Sequence, residues 1–233
     1  MSRSYIYFKN QVRMDRLAEL YHFLEGVPEE DRTNLQTVIG ASFGNSPKCL
    51  CDQFIYLRDG AIGQIFSPRS YKQLVTDVAD YVGIDWISLC QGRNWKQLKS
   101  YEIENTIVIK VFCKIYEKLS NEEKRELRDE LNRLAKDKDF GAEIITASGI
   151  ILARLSGFQI YLLATTALGA LSSALGITLP FVIYTTLTRA ISIVIGPIGW
   201  VALGILTVFH LNQQNWSKLI PGIVYISYLR NKQ

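Results

Sequence analysis

The chain has 233 residues, 26 lysines and arginines, 22 aspartates and glutamates, and a formal net charge of +4. This length is compatible with one large domain or two small ones. Only five of the basic residues and one acidic residue, Glu143, follow Phe140, so residues 1–140 are neutral and the remainder supplies the whole +4. No clustered basic face is present to neutralise phosphates, which excludes nucleic-acid binding as the expected function.

Residues 1–65 are predicted to form a divergent N-terminal helical region. Apolar residues recur at helical spacing from Met14 to Leu24, and Gly26 is the predicted end of that helix. The least regular stretch contains Gln53–Leu57, which is predicted to form one strand of a small hairpin that turns at Asp59-Gly60. The N-terminus lacks the apolar run and the cleavage site of a signal peptide, so a cytoplasmic location is expected.

Residues 66–140 predict an amphipathic helical bundle. Ser67-Pro68 is typical of a helix start, and Gly83 of its end. A second helix is predicted from Ser100 to about Leu119, and the capping box Ser120–Glu123 opens a third. Four carboxylates on the first two helices are expected to be solvated rather than catalytic, namely Asp77, Asp80, Glu102 and Glu104.

Residues 141–233 predict a strongly apolar helical hairpin followed by an amphipathic C-terminal helix. No charge occurs in the 34 residues from Leu155 to Thr188, and about 20 apolar residues suffice to span a bilayer. Small residues four positions apart are typical of close helix contact in lipid. The residues expected to enter the membrane are Leu155, Gly169, Ser173, Gly176, Pro180, Gly196, Pro197, Gly199 and Trp200. The charges expected at the boundaries of the apolar segments are Arg154, Arg189, Lys218 and Arg230.

A second interpretation of the apolar hairpin stays open. The same side chains could form the core of a soluble bundle, sheathed by the amphipathic helices that precede it. That arrangement resembles pore-forming colicin domains, which bury an apolar hairpin in a soluble bundle until the hairpin inserts into a membrane. In the tail, Trp216 and Lys218 suit either an interfacial anchor or simple packing.

Short motifs in the last two-thirds of the chain carry a family resemblance. They are Tyr101-Glu102-Ile103-Glu104, Gly196-Pro197-Ile198-Gly199, and Ile220-Pro221 followed by Ile226 and Leu229-Arg230. On these residues the chain resembles the YaaW-like family of uncharacterised bacterial proteins, which some classifications place near the ubiquinol–cytochrome c chaperones. The resemblance implies a bundle with apolar helices and a bacterial cytoplasmic origin, and it implies no reaction.

The sequence therefore predicts an all-α, non-enzymatic protein. No phosphate-binding loop is present, and the only histidines are His22 and His210, so no catalytic residue, cofactor or metal is expected. The main hypothesis is a membrane-inserting effector of pore-forming or defence type, at the cytoplasmic face of the bacterial inner membrane or in the cytoplasm before insertion. The alternative is a soluble, chaperone-like assembly or interaction factor. Membrane lipid is the expected partner, together with a protein partner or a second copy of the chain.

Overall fold

The computed structural model describes residues 17–66, 69–137, 145–146, 149–150, 157–174 and 215–232. The helices, numbered in chain order, are α1 (Ala18–Glu25), α2 (Glu29–Ile39), α3 (Pro47–Phe66), α4 (Tyr71–Val82), α5 (Trp86–Cys90), α6 (Ser100–Lys118), α7 (Asn121–Asp137), α8 (Gly157–Ala174) and α9 (Trp216–Lys232). A 3₁₀ turn, Trp95–Gln97, lies between α5 and α6, and two short antiparallel strands, β1 (Ile145–Thr146) and β2 (Gly149–Ile150), pair with each other. The described part is mostly helical, which confirms the all-α prediction.

Local capping explains where several helices begin and end. The Ser70 side chain accepts from the backbone N–H of Gln73, whose side chain caps Ser70 in return, so α4 begins at Tyr71. The prediction of a start at Ser67-Pro68, whose structure lies outside the described residues, is therefore wrong. Gly83 ends α4 in the left-handed conformation, as predicted.

The capping box predicted before α7 is confirmed. The backbone N–H of Ser120 donates to Glu123 at 2.8 Å, and the backbone N–H of Glu123 donates back to the Ser120 hydroxyl at 3.3 Å. Together with the helix Ser100–Lys118, which matches its prediction, this shows that local patterns suffice to place this part of the chain.

The predicted hairpin at Gln53–Leu57 is wrong, because these residues lie inside the long helix α3. Its buried side chains Leu50, Cys51, Phe54 and Ile55 recur at helical rather than strand spacing. Gly60 interrupts the helix with a positive φ of 67°. The turn signal in the sequence therefore marks a kink within α3.

Two aspartates and two arginines stabilise the region of this kink. Arg58 and Arg69 both pair with Asp77 of α4, at 2.9 and 2.6 Å. Arg69 also lies 3.3 Å from Asp59, beside the kinked glycine. The cluster is electrically balanced, so α3 is tied to α4 without leaving a net buried charge.

Helix α9 lies at the centre of the packing and contacts α2, α3, α4, α6 and α8. Every residue from Leu219 to Leu229 is buried. Gly222 permits this close approach, because a Cβ there would lie 2.7 Å from Ile39 and 2.8 Å from Phe54. Of the two interpretations left open for Trp216, an interfacial anchor or simple packing, the structure shows packing, since the Trp216 ring stacks on Tyr81 with ring centroids 4.3 Å apart.

Of the two apolar helices predicted to form the hairpin, the structure describes only one, helix α8, so the hairpin is not confirmed. The apolar side chains of α8, among them Leu163 and Leu168, are buried against other helices, and the polar Gln159, Thr165 and Thr166 are buried with them. Among the described residues, none of the helices combines the length and the apolar character needed to cross a membrane. This finding corrects the prediction of a membrane-inserting, pore-forming protein, since polar residues dilute the apolar run of α8.

Helices from all three predicted segments contribute to one cluster of buried apolar side chains. The proposed division of the chain at residues 65 and 140 stays a prediction.

Candidate functional site

A buried carboxylate lies where α9 meets α4 and α6. The side chain of Glu104 in α6 is 0% exposed. The Tyr71 hydroxyl of α4 donates a hydrogen bond to its Oε1 at 2.8 Å. The Nε of Arg230 in α9 lies 3.0 Å from its Oε2 and forms an ion pair with it. The prediction that Glu104 is solvated is therefore wrong.

The cation of this cluster reaches a second carboxylate. Arg230 Nη2 lies 3.8 Å from Glu19 in α1, and Glu19 accepts a hydrogen bond from the Ser100 hydroxyl at 2.8 Å. The guanidinium also covers the ring of Phe23 at 4.2 Å from the centroid. The cluster thus joins α1, α4 and α6 to the C-terminal helix. We refer to Glu19, Tyr71, Glu104 and Arg230 as the buried charge cluster.

Burial decides the protonation of this cluster. Removal from water raises the pKa of Glu104 to about 7, against the lowering effects of the Arg230 guanidinium and of the Tyr71 hydroxyl. Burial, together with the neighbouring Glu104, raises the pKa of Tyr71 well above its ordinary value. Glu104 can therefore gain or lose a proton near neutral pH, whereas Tyr71 keeps its proton.

A polar cleft of ≈ 280 Å³ opens beside the buried charge cluster, lined by Phe23, Tyr101, Asn105, Arg230 and Asn231. The Ser227 hydroxyl and the Asn231 side-chain amide both donate to Asn105 Oδ1, at 2.8 and 3.1 Å. The two asparagines are thereby fixed between α6 and α9.

An apolar groove lies on another part of the surface, around the short helix α5. It has a volume of ≈ 430 Å³ and is lined chiefly by Trp86, Ile87, Cys90, Arg93, Asn94 and Trp95. Ile87 is 87% exposed. We refer to this surface as the Trp86–Trp95 groove.

Polar contacts at both ends hold the Trp86–Trp95 groove in shape. The carboxylate of Asp85 caps α5 by accepting from the backbone N–H groups of Ile87 and Ser88 and from the Ser88 hydroxyl. These bonds, that of the Ser88 hydroxyl first, lower the pKa of Asp85. At the other end, the Asn94 side chain caps the 3₁₀ turn. The Trp86 ring nitrogen donates to Asp80 at 2.6 Å. The exposed apolar side chains are therefore presented by an ordered frame.

The structure places few of the predicted site residues at these two surfaces. Arg230, predicted as a boundary charge, belongs to the buried charge cluster, while Lys218 lies beside Gly40 at the opposite end of α9. Gly169 is half-buried within α8, and Ser173 lies near the end of that helix. The remaining candidates lie outside the described residues: Leu155, Gly176, Pro180, Gly196, Pro197, Gly199, Trp200, Arg154 and Arg189.

Sequence reasoning missed Glu104, Tyr71 and the Trp86–Trp95 groove as sites. A glutamate on an amphipathic helix has no sequence signal that separates a buried position from a solvated one. For the groove a signal existed, since two tryptophans lie within an irregular stretch, but the pattern favoured packing over exposure.

Thiol and metal chemistry find little support in the described residues. Cys49, Cys51, Cys90 and Cys113 are free thiols there. Burial raises the pKa of Cys51 to about 12, so this thiol stays protonated and unreactive. Within the described ranges no three His, Cys, Asp or Glu side chains are grouped as metal ligands.

The fold and its surfaces define the class of an all-α helical bundle with a buried, ion-paired C-terminal helix. No family model matches the chain, and no solved structure matches it. The chain is 30% identical over 199 residues to a UPF0174 protein of Helicobacter pylori J99, covering 83% of this chain and 91% of the relative. The chain belongs to the UPF0174 family.

Two further relatives carry the same name. A UPF0174 protein of Helicobacter pylori 26695 is 26% identical over 211 residues, covering 87% of this chain and 97% of the relative. Another from strain J99 is 26% identical over 163 residues, which is 70% of this chain but only 61% of that relative's length. The name of these relatives states no activity, substrate or partner.

These relatives correct the resemblance drawn from the sequence motifs. All three are UPF0174 proteins, and none points to a YaaW-like or ubiquinol–cytochrome c chaperone family. The motifs behind that resemblance were short. Within two of them, the packing of α6 and α9 explains the buried residues Ile103 and Glu104 and the buried run from Ile220 to Leu229.

Proposed function

We propose that this chain is a non-enzymatic interaction factor of assembly type, which binds a partner protein through the Trp86–Trp95 groove. The observation that carries the proposal is the 87% exposure of Ile87 beside Trp86 and Trp95. A single exposed apolar side chain is ordinary, but a groove that combines one with two tryptophans is typical of a contact surface. The proposal keeps the interaction-factor alternative of the sequence analysis and leaves out insertion into lipid.

The charges around the groove favour an acidic partner. Arg93 lines it, Lys96 adjoins Trp95, and Lys99 follows two residues after the 3₁₀ turn. Arg93 pairs with Glu102 at 3.3 Å, so these two charges offset each other, and the Asp85 carboxylate is held in the cap of α5. Lys96 and Lys99 supply the remaining positive charge of the rim. A partner segment with a large apolar side chain flanked by Asp or Glu would fit both the apolar floor and the basic rim.

The absence of catalysis is part of the same proposal. The carboxylate with the most strongly altered environment, Glu104, is fully buried and already contacts Tyr71 and Arg230, so it serves packing better than proton transfer to a substrate. The cytoplasmic location expected from the sequence stays a prediction.

A peptide selection tests the groove directly. A random peptide library is selected on the immobilised full chain, and the enriched peptides are measured by fluorescence anisotropy. We expect enrichment of peptides with one large apolar residue flanked by acids, and a loss of affinity of about tenfold or more in Ile87→Glu, since one anchor side chain carries 1–2 kcal/mol or more.

Phe43 supplies the matched control. It is 90% exposed, lies on the loop between α2 and α3, and is not among the residues that line the groove. Phe43→Glu introduces the same charge at a site of the same exposure, and it should leave peptide affinity unchanged. Equal affinity of the selected peptides for wild type and Ile87→Glu would refute the proposal, as would enrichment of basic rather than acidic flanks.

A further inference from the structure

The polar cleft beside the buried charge cluster offers three polar groups that no described residue satisfies. Asn105 uses its Oδ1 for Ser227 and Asn231, which leaves its Nδ2 free to donate. Asn231 donates through Nδ2, which leaves its Oδ1 free to accept. In Arg230 the Nε and Nη2 atoms are buried, and the remaining Nη1 has no partner among the described residues.

These three groups form a pattern of two donors and one acceptor. A guanidinium N–H and an amide N–H together suit the two oxygens of a carboxylate. The amide oxygen of Asn231 suits an adjacent N–H donor on the same ligand. The hydrogen bonds between Ser227, Asn105 and Asn231 fix which atom of each amide is engaged, so the atoms left free for a ligand are determined before it binds.

The charges around the cleft favour a ligand that carries both signs. Arg230 supplies one positive charge, and Glu19 and Glu104 lie within 3.8 and 3.0 Å of its guanidinium. A simple anion would gain from Arg230 but would be repelled by the two acids. Neither acid lines the cleft. A zwitterion carries no net charge, so these acids repel it less than a simple anion, while its carboxylate still meets the Arg230 guanidinium.

The size and the aromatic lining limit the ligand further. A volume of ≈ 280 Å³ lies just below the range of about 300–1,000 Å³ that is typical of small-molecule sites. Tyr101 is 45% exposed, and its ring and that of Phe23 provide the apolar part of the lining. A ligand of amino-acid size with an apolar side chain fills such a cleft.

We propose that this cleft binds a free α-amino acid with an aromatic or large apolar side chain. The ligand carboxylate accepts from Arg230 Nη1 and Asn105 Nδ2, its ammonium donates to Asn231 Oδ1, and its side chain packs on Tyr101. The site is separate from the Trp86–Trp95 groove, so this inference does not depend on the proposed interaction function.

Isothermal titration calorimetry of the full chain tests the assignment with three probes. L-phenylalanine has the carboxylate and the ammonium, L-phenylalaninamide lacks the carboxylate, and N-acetyl-L-phenylalanine imitates the end of a peptide. We expect saturable binding of L-phenylalanine at millimolar or lower concentration, and binding of each of the other two weakened by about tenfold or more. No heat with L-phenylalanine would overturn the proposal. Equal binding of the amide would overturn the carboxylate assignment, and tighter binding of the acetylated probe would identify a peptide end instead of a free amino acid.

Asn105→Asp is the decisive variant. Aspartate keeps the acceptor that Ser227 and Asn231 use, but it replaces the donor by a negative charge that repels the ligand carboxylate. We expect a loss of L-phenylalanine affinity of at least about tenfold with the thermal unfolding midpoint nearly unchanged. Asn121→Asp is the matched control, because it introduces the same charge on the exposed first residue of α7, where an acid is favourable. Unchanged affinity in Asn105→Asp would refute the proposed site.

Discussion

The most informative single change in this protein is Glu104→Gln, which removes a buried charge and keeps the shape of the side chain. Glu104 is 0% exposed, and burial raises its pKa from 4.5 to about 7. A raised pKa means that the folded state holds the proton more tightly than the unfolded chain. The stability that this proton contributes is fully present below pH 4.5 and is lost as the pH rises to about 7.

The size of the stability change follows from the difference between the two pKa values of Glu104, 4.5 in the unfolded chain and about 7 in the folded protein. Each pKa unit corresponds to about 1.4 kcal/mol, so the ionised carboxylate costs the folded state about 3 kcal/mol at pH 8. Glutamine avoids this cost, but its amide matches Tyr71 and Arg230 less well than a carboxylate does, which costs about 1 kcal/mol. We therefore expect Glu104→Gln to be about 1 kcal/mol less stable than wild type at pH 4.5 and about 2 kcal/mol more stable at pH 8.

The assay is urea unfolding of both proteins at several pH values between 4.5 and 8. The difference between variant and wild type isolates Glu104, because the other titrating groups are common to both. Glu117→Gln, an exposed position on the same helix, is the control and should change stability by no more than about 0.5 kcal/mol at any pH. If Glu104→Gln instead destabilises the protein by several kcal/mol at pH 8, the ion pair with Arg230 outweighs burial and our reasoning is wrong.

Two further predictions concern packing and capping. Gly222→Ala should destabilise the protein by about 1–3 kcal/mol in urea unfolding, because the alanine Cβ would lie 2.7 Å from Ile39 and 2.8 Å from Phe54. Unchanged stability would mean that α9 does not approach α2 and α3 this closely. Ser70→Ala removes the acceptor for the Gln73 backbone N–H and should cost about 1 kcal/mol, seen as a lower thermal midpoint, whereas Ser70→Asp, which keeps an acceptor, should lose much less.

The elements of the second segment could be predicted because their signals are local. The capping box at Ser120–Glu123, the glycine that ends α4 at Gly83, and the periodicity that defines Ser100–Lys118 all depend on residues within one or two turns of each other. The hairpin predicted at Gln53–Leu57 failed because Asp59-Gly60 is a turn signal in isolation. The buried face of α3, packed against other helices, outweighs it and turns the signal into a kink.

The candidate site could not be predicted in the same way. Glu104 and Arg230 are far apart in the sequence, and the pattern around each is that of a solvated charge on a helix. The distance of 3.0 Å between their side chains exists only because α9 packs against α6. The exposure of Ile87 likewise depends on which helices leave α5 uncovered.

By itself the sequence determined that this protein is helical, where α4 ends, where α6 begins and ends and where α7 begins, and that its last third is strongly apolar. Only the tertiary structure decided whether the apolar side chains of the described helices α8 and α9 pack against other helices or face lipid. Apolar side chains leave water equally well for lipid or for other helices, so their hydrophobicity does not distinguish the two. Packing decides for burial against other helices, because Gly222 lets α9 approach α2 and α3 closely and Arg230 contacts polar partners inside the bundle.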